Sequence, residues 1–106
     1  MAKKPGQRVR GSTTGRPIMV LFDLVGQRWV LRILWELQDR HLSFRNLQAQ
    51  CGGISPTSLN NRLKNLRELQ LVELTGQGYC LTTQGRKLGE RLMDLSRWAD
   101  EWAQDL

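Results

Sequence analysis

From Ile54 to Leu66 the chain reads as a helix with a marked start and two unlike faces. Ser55 is a preferred N-cap, whose hydroxyl can accept from an orphan backbone N–H of the first turn. Pro56 falls at the first helical position, where its missing N–H costs nothing. Ile54 and Leu59 stand at the two positions of a hydrophobic staple, which sets how the chain enters the helix. Leu59, Leu63 and Leu66 recur at i, i+4 and i+7, so one stripe is apolar. The remaining face carries Thr57, Ser58, Asn60, Asn61, Arg62, Lys64, Asn65 and Arg67, donors and acceptors with no acid among them. That is the chemistry a helix needs to lie in a DNA major groove. There Asn pairs bidentately with adenine and Arg with guanine, each worth about 1–3 kcal/mol of discrimination.

The flanking segments agree with that reading. Ser43 is placed to cap a short preceding helix with Phe44 and Leu47 facing inward, and Cys51-Gly52-Gly53 ends it in a tight turn. A short helix, a glycine turn and a capped polar-faced helix make the helix-turn-helix pattern. Leu71–Thr75 and Tyr79–Thr82 then read as two strands around Gly76-Gln77-Gly78, a hairpin in the position of a wing.

Charge is segregated along the chain. The net charge is +6, and Lys3, Lys4, Arg8, Arg10 and Arg16 carry five of the positive charges with no acid among them, leaving +1 for the rest. Between Arg40 and Leu69 lie Arg40, Arg45, Arg62, Lys64 and Arg67 against Glu68 alone. A basic tail and a basic middle suit a polyanion. Residues 1–16 are polar and aperiodic and read as a flexible basic arm; residues 17–106 read as one domain, the size a modest single core supports. No apolar run approaches the roughly 20 residues that span a membrane, and no signal peptide follows the basic start. The cytoplasm, and the nucleoid within it, is the expected compartment. Two cysteines, Cys51 and Cys80, in such a protein argue against a disulfide scaffold, and their spacing against zinc. No cofactor is implied.

Three further helices complete the domain. Pro17 opens a short one, with Ile18, Leu21, Phe22 and Val25 expected on its buried side and Gly26 as its stop. A second, from about Arg28 to Gln38, has a wide stripe of Trp29, Val30, Ile33, Leu34 and Leu37. Leu31 and Trp35 lie outside that stripe, so the helix is apolar nearly all round and is buried centrally or shared with a partner. The last helix, capped by Thr82 or Thr83, covers about 84–105. Leu88, Leu92, Leu95, Ala99 and Trp102 repeat along it at spacings of four and three, a coiled-coil-like seam widened by Met93, Trp98 and Leu106. So long a helix in so small a chain has little of its own domain to pack against. The fold class expected is mainly α with a small β-hairpin, a winged helix-turn-helix with N- and C-terminal dimerisation helices.

At this point the chain resembles the HxlR-type winged-helix transcriptional regulators, relatives of the MarR group. The resemblance rests on four runs in order. Asp23-Leu24-Val25-Gly26-Gln27-Arg28-Trp29 with Ile33-Leu34-Trp35-Glu36-Leu37 is similar to the family's D-x-I-G-G-K-W … I-L-x-x-L. Ser43-Phe44-Arg45-Asn46-Leu47 is similar to R-F-x-x-L. Gly53-Ile54-Ser55-Pro56 through Leu59, Arg62, Leu63 and Leu66 is similar to G-I-S-x-x-x-L-x-x-x-L-x-x-L. Tyr79-Cys80-Leu81-Thr82 with Gly85 is similar to Y-x-L-T-x-x-G. Together they cover roughly residues 17 to 92. The resemblance implies a homodimeric DNA-binding regulator whose helix after Ile-Ser reads the major groove and whose terminal helices form the dimer. Two departures are visible. The family's longer wing is here a tight turn. The cysteine that many members carry before the first helix, and that some use to sense oxidants or electrophiles, is here Arg16, so that mechanism does not carry over.

These readings nominate residues. Thr57, Ser58, Asn61 and Arg62 are the candidate base readers. Arg40, Ser43, Arg45, Lys64, Arg67 and the wing-tip Gln77 are candidate phosphate contacts, which fix register but carry little sequence information. Leu21, Leu88, Leu92, Leu95, Trp98 and Trp102 are the candidate dimer interface. Cys51 reads as a small buried residue. Strand alternation turns Cys80 outward beside inward Tyr79 and Leu81, which makes it the candidate redox residue, although no neighbouring cation is evident to lower its pKa. His41, the single histidine, has no nucleophile or paired carboxylate to work with, so no catalytic residue and no metal site are expected. The tryptophans at 29, 35 and 98 are weighed as an effector site, but at helical spacing they are more often core or interface; the effector is unknown. The expected function is a sequence-specific transcriptional regulator, a repressor, binding palindromic double-stranded DNA as a homodimer. A winged-helix protein-interaction module and a non-specific architectural DNA binder are the alternatives.

Overall fold

Caps and turns set the element boundaries. The structure, a computed structural model, describes residues 2–7 and 15–106. The order is α1 (Pro17–Val25), α2 (Val30–Glu36), α3 (Phe44–Cys51), α4 (Pro56–Glu68), β1 (Val72–Thr75), β2 (Gly78–Leu81) and α5 (Thr83–Gln104). Ser43 Oγ accepts from the Asn46 N–H at 3.1 Å to start α3, and Ser55 Oγ accepts from the Ser58 N–H at 3.1 Å to start α4. Between these helices Gly52 and Gly53 hold φ of 61° and 109°, left-handed conformations that make the tight turn available. The two helices are therefore a true helix-turn-helix.

Leu59, Leu63 and Leu66 of α4 are at most 1% exposed, and they join Val30, Ile33, Leu34 and Leu37 of α2 and Leu47 of α3 in one core. The apolar stripe of α4 thus faces inward as the spacing requires, and its polar face is left outside.

Two expectations about the first half of the domain are corrected. In α1 the buried residues are Val20 and Leu24, whereas Ile18 is 40% and Phe22 55% exposed, and Leu21 and Val25 are half-buried. Every position from 18 to 25 except Asp23 is apolar, so periodicity could not choose between faces. The stripe named from sequence points away from the chain's own core. The second correction concerns the start of α2. α1 does stop at Gly26, its C-cap, though at φ −74°, and the left-handed residue of the turn is Trp29 at φ 79°. The helix therefore begins at Val30, two residues later than the pattern suggests.

The hairpin pairs Val72 with Leu81 through Thr75 with Gly78, which leaves Gly76-Gln77 as a two-residue loop. Leu42 adds a single bridge on the outer side of β2: its N–H donates to the Tyr79 carbonyl at 3.0 Å and its carbonyl accepts from the Tyr79 N–H at 2.8 Å. One residue of pairing carries no periodicity and leaves no mark in the sequence. Thr82 caps α5, its Oγ1 accepting from the Gly85 N–H at 3.0 Å and donating to the Gln70 carbonyl at 2.6 Å. A Cβ on Gly85 would lie 2.0 Å from the Leu71 carbonyl oxygen, so only glycine lets the first turn of α5 approach the α4–β1 connection. Leu92 is the last buried residue of α5; beyond it every residue except half-buried Ser96 is exposed. No helix among the described residues is long and apolar enough to cross a membrane.

Candidate nucleic-acid interface

α4 presents Thr57 and Asn61 fully to the outside, with Ser58 and Arg62 half-buried at the edges of the same face. The four nominated base readers are therefore brought together on one surface, held by the core leucines behind them. Arg62 is more constrained than its sequence position suggests. Its Nε donates to the Arg28 carbonyl at 2.9 Å, tying the middle of α4 to the turn before α2. Only the Nη edge of that guanidinium is left to meet a ligand.

The cations divide into two groups. Among the described residues, ion pairs engage Arg32 and Arg40 with Glu36, and Arg91 and Arg97 with Asp94. Arg45 on α3 and Arg62, Lys64 and Arg67 on α4 take part in none of them. Arg40, also a phosphate candidate, is drawn back onto α2: its Nη2 meets Glu36 Oε1 at 2.7 Å and its Nε donates to the Glu36 carbonyl at 2.7 Å. Arg32 completes the cluster, donating to Glu36 Oε2 at 2.7 Å and to the Gln50 carbonyl at 2.8 Å, which ties α2 to the end of α3. Ser43 uses its oxygen as the α3 cap, leaving only its O–H proton for a phosphate. Gln77 is exposed at the hairpin tip, its own N–H donating to Thr75 Oγ1 at 3.1 Å.

At the other end of the basic segment, the Ala2 N–H donates to Glu68 Oε2 at 3.2 Å, bringing Lys3 and Lys4 near the end of α4. Arg8 and Arg10 of the arm lie outside the described residues.

Cys80 lies on the face away from the core, beside its cross-strand neighbour Glu73, but it is covered there: it is 8% exposed, and its thiol donates to Glu73 Oε1 at 3.7 Å. Alternation holds, but the face it gives Cys80 is not open, because Glu73, with Arg86 nearby, stands over it. Burial first, then the charge and hydrogen bond of Glu73, push the Cys80 thiol up, against a smaller opposing pull from Arg86. Cys51 is buried as expected, and burial raises its thiol as well. Neither cysteine has the lowered pKa of a reactive thiol.

The nominated interface residues also separate. Leu92 belongs to the domain's own core and Leu88 packs against it, which corrects the uniform seam read from sequence. Leu95, Trp98 and Trp102 are 58%, 57% and 53% exposed, and the last two rings stack with centroids 5.6 Å apart. Ile18 and Phe22, which the sequence pattern assigns to the core, are exposed apolar residues beside them in kind.

The arrangement has close counterparts. A family model described as HxlR-like helix-turn-helix matches residues 24–106. The HTH-type transcriptional regulator YvaP of Bacillus subtilis is 30% identical over 90 residues, 76% of this chain and 81% of that one. The crystal structure of quinone-bound YodB from B. subtilis superposes with a TM-score of 0.73 at 31% identity, covering 79% of this chain and 96% of that one. A possible HxlR family transcriptional factor from Thermoplasma volcanium superposes with a TM-score of 0.70 at 28% identity, over 79% of this chain and 82% of that one. The match runs through α5 to the end of the chain, further than the sequence runs reach. With the two capped helices, the hairpin and the glycine that seats α5 all in place, the chain belongs to the HxlR-like helix-turn-helix family and is a winged helix-turn-helix transcriptional regulator.

Proposed function

We propose that the protein is a sequence-specific repressor that binds a palindromic operator as a homodimer, α4 lying in the major groove of each half-site. The carrying observation is the outer face of α4, whose single acid, Glu68, stands at its C-terminal end and accepts from the Ala2 N–H. Its cations stand outside the ion pairs that occupy arginines elsewhere in the molecule. Thr57, Ser58, Asn61 and the Nη edge of Arg62 are the base readers in this proposal. Ser43, Arg45, Lys64, Arg67 and Gln77 meet the flanking backbone. The exposed apolar residues of α1 and α5, Ile18 and Phe22 with Leu95, Trp98 and Trp102, support pairing of two copies, since so many large apolar side chains in water mark an interaction surface. Occupancy of an operator excludes other proteins from it, which makes repression the expected sign, acting at the nucleoid in the cytoplasm. The YodB structure holds a quinone; here both thiols are buried and pushed up, so no electrophile-sensing role is proposed for Cys80.

Selection of genomic fragments by the purified protein at about 0.15 M salt tests the reading. The expected product is one palindromic motif with half-sites about 10 base pairs apart, the spacing of recognition helices roughly 34 Å apart. Featureless DNA would move the reading to an architectural binder, and no DNA at all to a protein-interaction module.

A further inference from the structure

The turn between α1 and α2 is held in an unusual way. Trp29 stands at φ 79°, a conformation costly for a residue with a bulky side chain. Such strain persists only where the surroundings over-determine it. Here the Trp29 ring packs on the core and reaches 3.9 Å from the point where a Cβ on Gly53 would stand, so the turn abuts the helix-turn-helix turn. From the other side, Arg62 of α4 grips the Arg28 carbonyl at 2.9 Å. The consequence falls on Arg28. Its side chain is exposed, its guanidinium carbon 5.2 Å from the Trp29 ring centroid. Its main chain is therefore tied to the recognition helix by Arg62, while its side chain lies over Trp29. Among the described residues, neither arginine makes an ion pair.

An exposed arginine outside every ion pair of the described residues, its backbone tied to the recognition helix, suits an anion, and the DNA backbone runs along the rim of any groove that α4 enters. We propose that Arg28 is a DNA phosphate contact, pre-placed by the left-handed Trp29 and by the bond from Arg62, and that Arg62 acts partly as a positioning residue for it. The proposal rests on the DNA-binding reading. In the sequence Arg28 stands only at the basic position of the D-x-I-G-G-K-W run; the bond spanning 34 residues is what ties it to α4.

The test compares wild type, R28A, R28K and R28Q on a mixed-sequence duplex of about 30 base pairs, titrated from roughly 0.05 to 0.2 M salt. Alanine keeps the main-chain carbonyl that Arg62 needs, so the thermal midpoint of R28A should match wild type. Its affinity should fall about 3- to 10-fold on every sequence, with the slope of log K against log salt reduced by about 0.9 for each phosphate that is no longer neutralised. R28K keeps the charge and should keep the slope; R28Q should lower it as R28A does, and serves if R28A does not fold. A wild-type affinity and slope in R28A or R28Q, or a drop in affinity that tracks a fall in thermal midpoint, overturns the Arg28 proposal alone. A wild-type protein with no salt-dependent affinity for the duplex overturns the DNA reading and the Arg28 proposal with it.

Discussion

Gln70 ends α4 at φ 60°, in the place where glycine usually stands. Its N–H donates to the Arg67 carbonyl at 3.0 Å and the next N–H, of Leu71, donates to the Leu66 carbonyl at 3.0 Å, the paired bonds of a Schellman cap. The hydrogen bonds are satisfied, so the remaining cost is the left-handed backbone, roughly 1 kcal/mol for a residue with a Cβ. Gln70→Gly should recover part of it and raise the thermal midpoint by a few degrees, read by calorimetry; an unchanged or lower midpoint would mean the unfolded chain's extra freedom offsets the gain. Cys80 shows residue-scale chemistry of a different kind. Its raised pKa leaves less thiolate near neutral pH than an ordinary cysteine has. In a Cys51→Ser background, iodoacetamide should label Cys80 slowly, the rate climbing only as pH passes above the usual thiol range. Glu73→Ala removes both the charge and the acceptor that hold the proton, and should speed labelling at neutral pH. Labelling that is fast in the parent would show an open thiol. The burial of Cys80 is not legible in sequence because alternation assumes one free sheet face, and here Glu73 and Arg86 cover it.

Helices are legible where a cap and one clean stripe coincide. Ser55, Pro56 and the three leucines place α4 and its outer face without ambiguity, and the capping bonds of Ser43 and Ser55 are both formed. α1 is not legible in the same sense, because an apolar residue at nearly every position gives a helix but no face. The base-reading set belongs to this scale, since it depends on which side of α4 is free. Asn61 is exposed on that side and Lys64 one turn further along. Asn61→Ala should cost about 1–3 kcal/mol on the selected operator and relax preference at one base position, leaving the salt slope intact. Lys64→Ala should do the reverse, weakening all sequences alike and lowering the slope by about 0.9 for the phosphate it neutralises. Competition binding across single-base operator variants separates the two; a uniform weakening for Asn61→Ala would remove it from the base readers. Sequence groups Arg40 with these cations because it shows charge but not partners, and Glu36 holds that arginine on α2.

At the scale of the whole molecule, α5 outruns its domain. Twelve residues of α5 follow Leu92, about 18 Å of helix at 1.5 Å per residue. Along one continuous seam, Leu88 and Leu92 pack inward while Leu95, Trp98 and Trp102 are left in water. A single apolar repeat thus serves two purposes, and only the three-dimensional course of the helix shows where one gives way to the other. This division makes the dimer testable apart from the fold. Trp98→Glu with Trp102→Glu places charge on residues more than half exposed in the single chain, so each copy should keep its thermal unfolding cooperativity and its far-ultraviolet spectrum. In the proposed dimer those positions are desolvated, and burying unpaired carboxylates there is costly enough to separate the copies. Sedimentation equilibrium at micromolar concentration should then give a monomer. Operator affinity should drop toward the non-specific range of about 10⁻⁴–10⁻⁶ M, because one half-site must be held without its neighbour. Leu92→Ala is the control with the opposite signature: a cavity in the core, costing about 2–5 kcal/mol of folding stability. A double-tryptophan variant that still sediments as a dimer would place the dimer interface elsewhere, with the exposed Ile18 and Phe22 face of α1 the next to test.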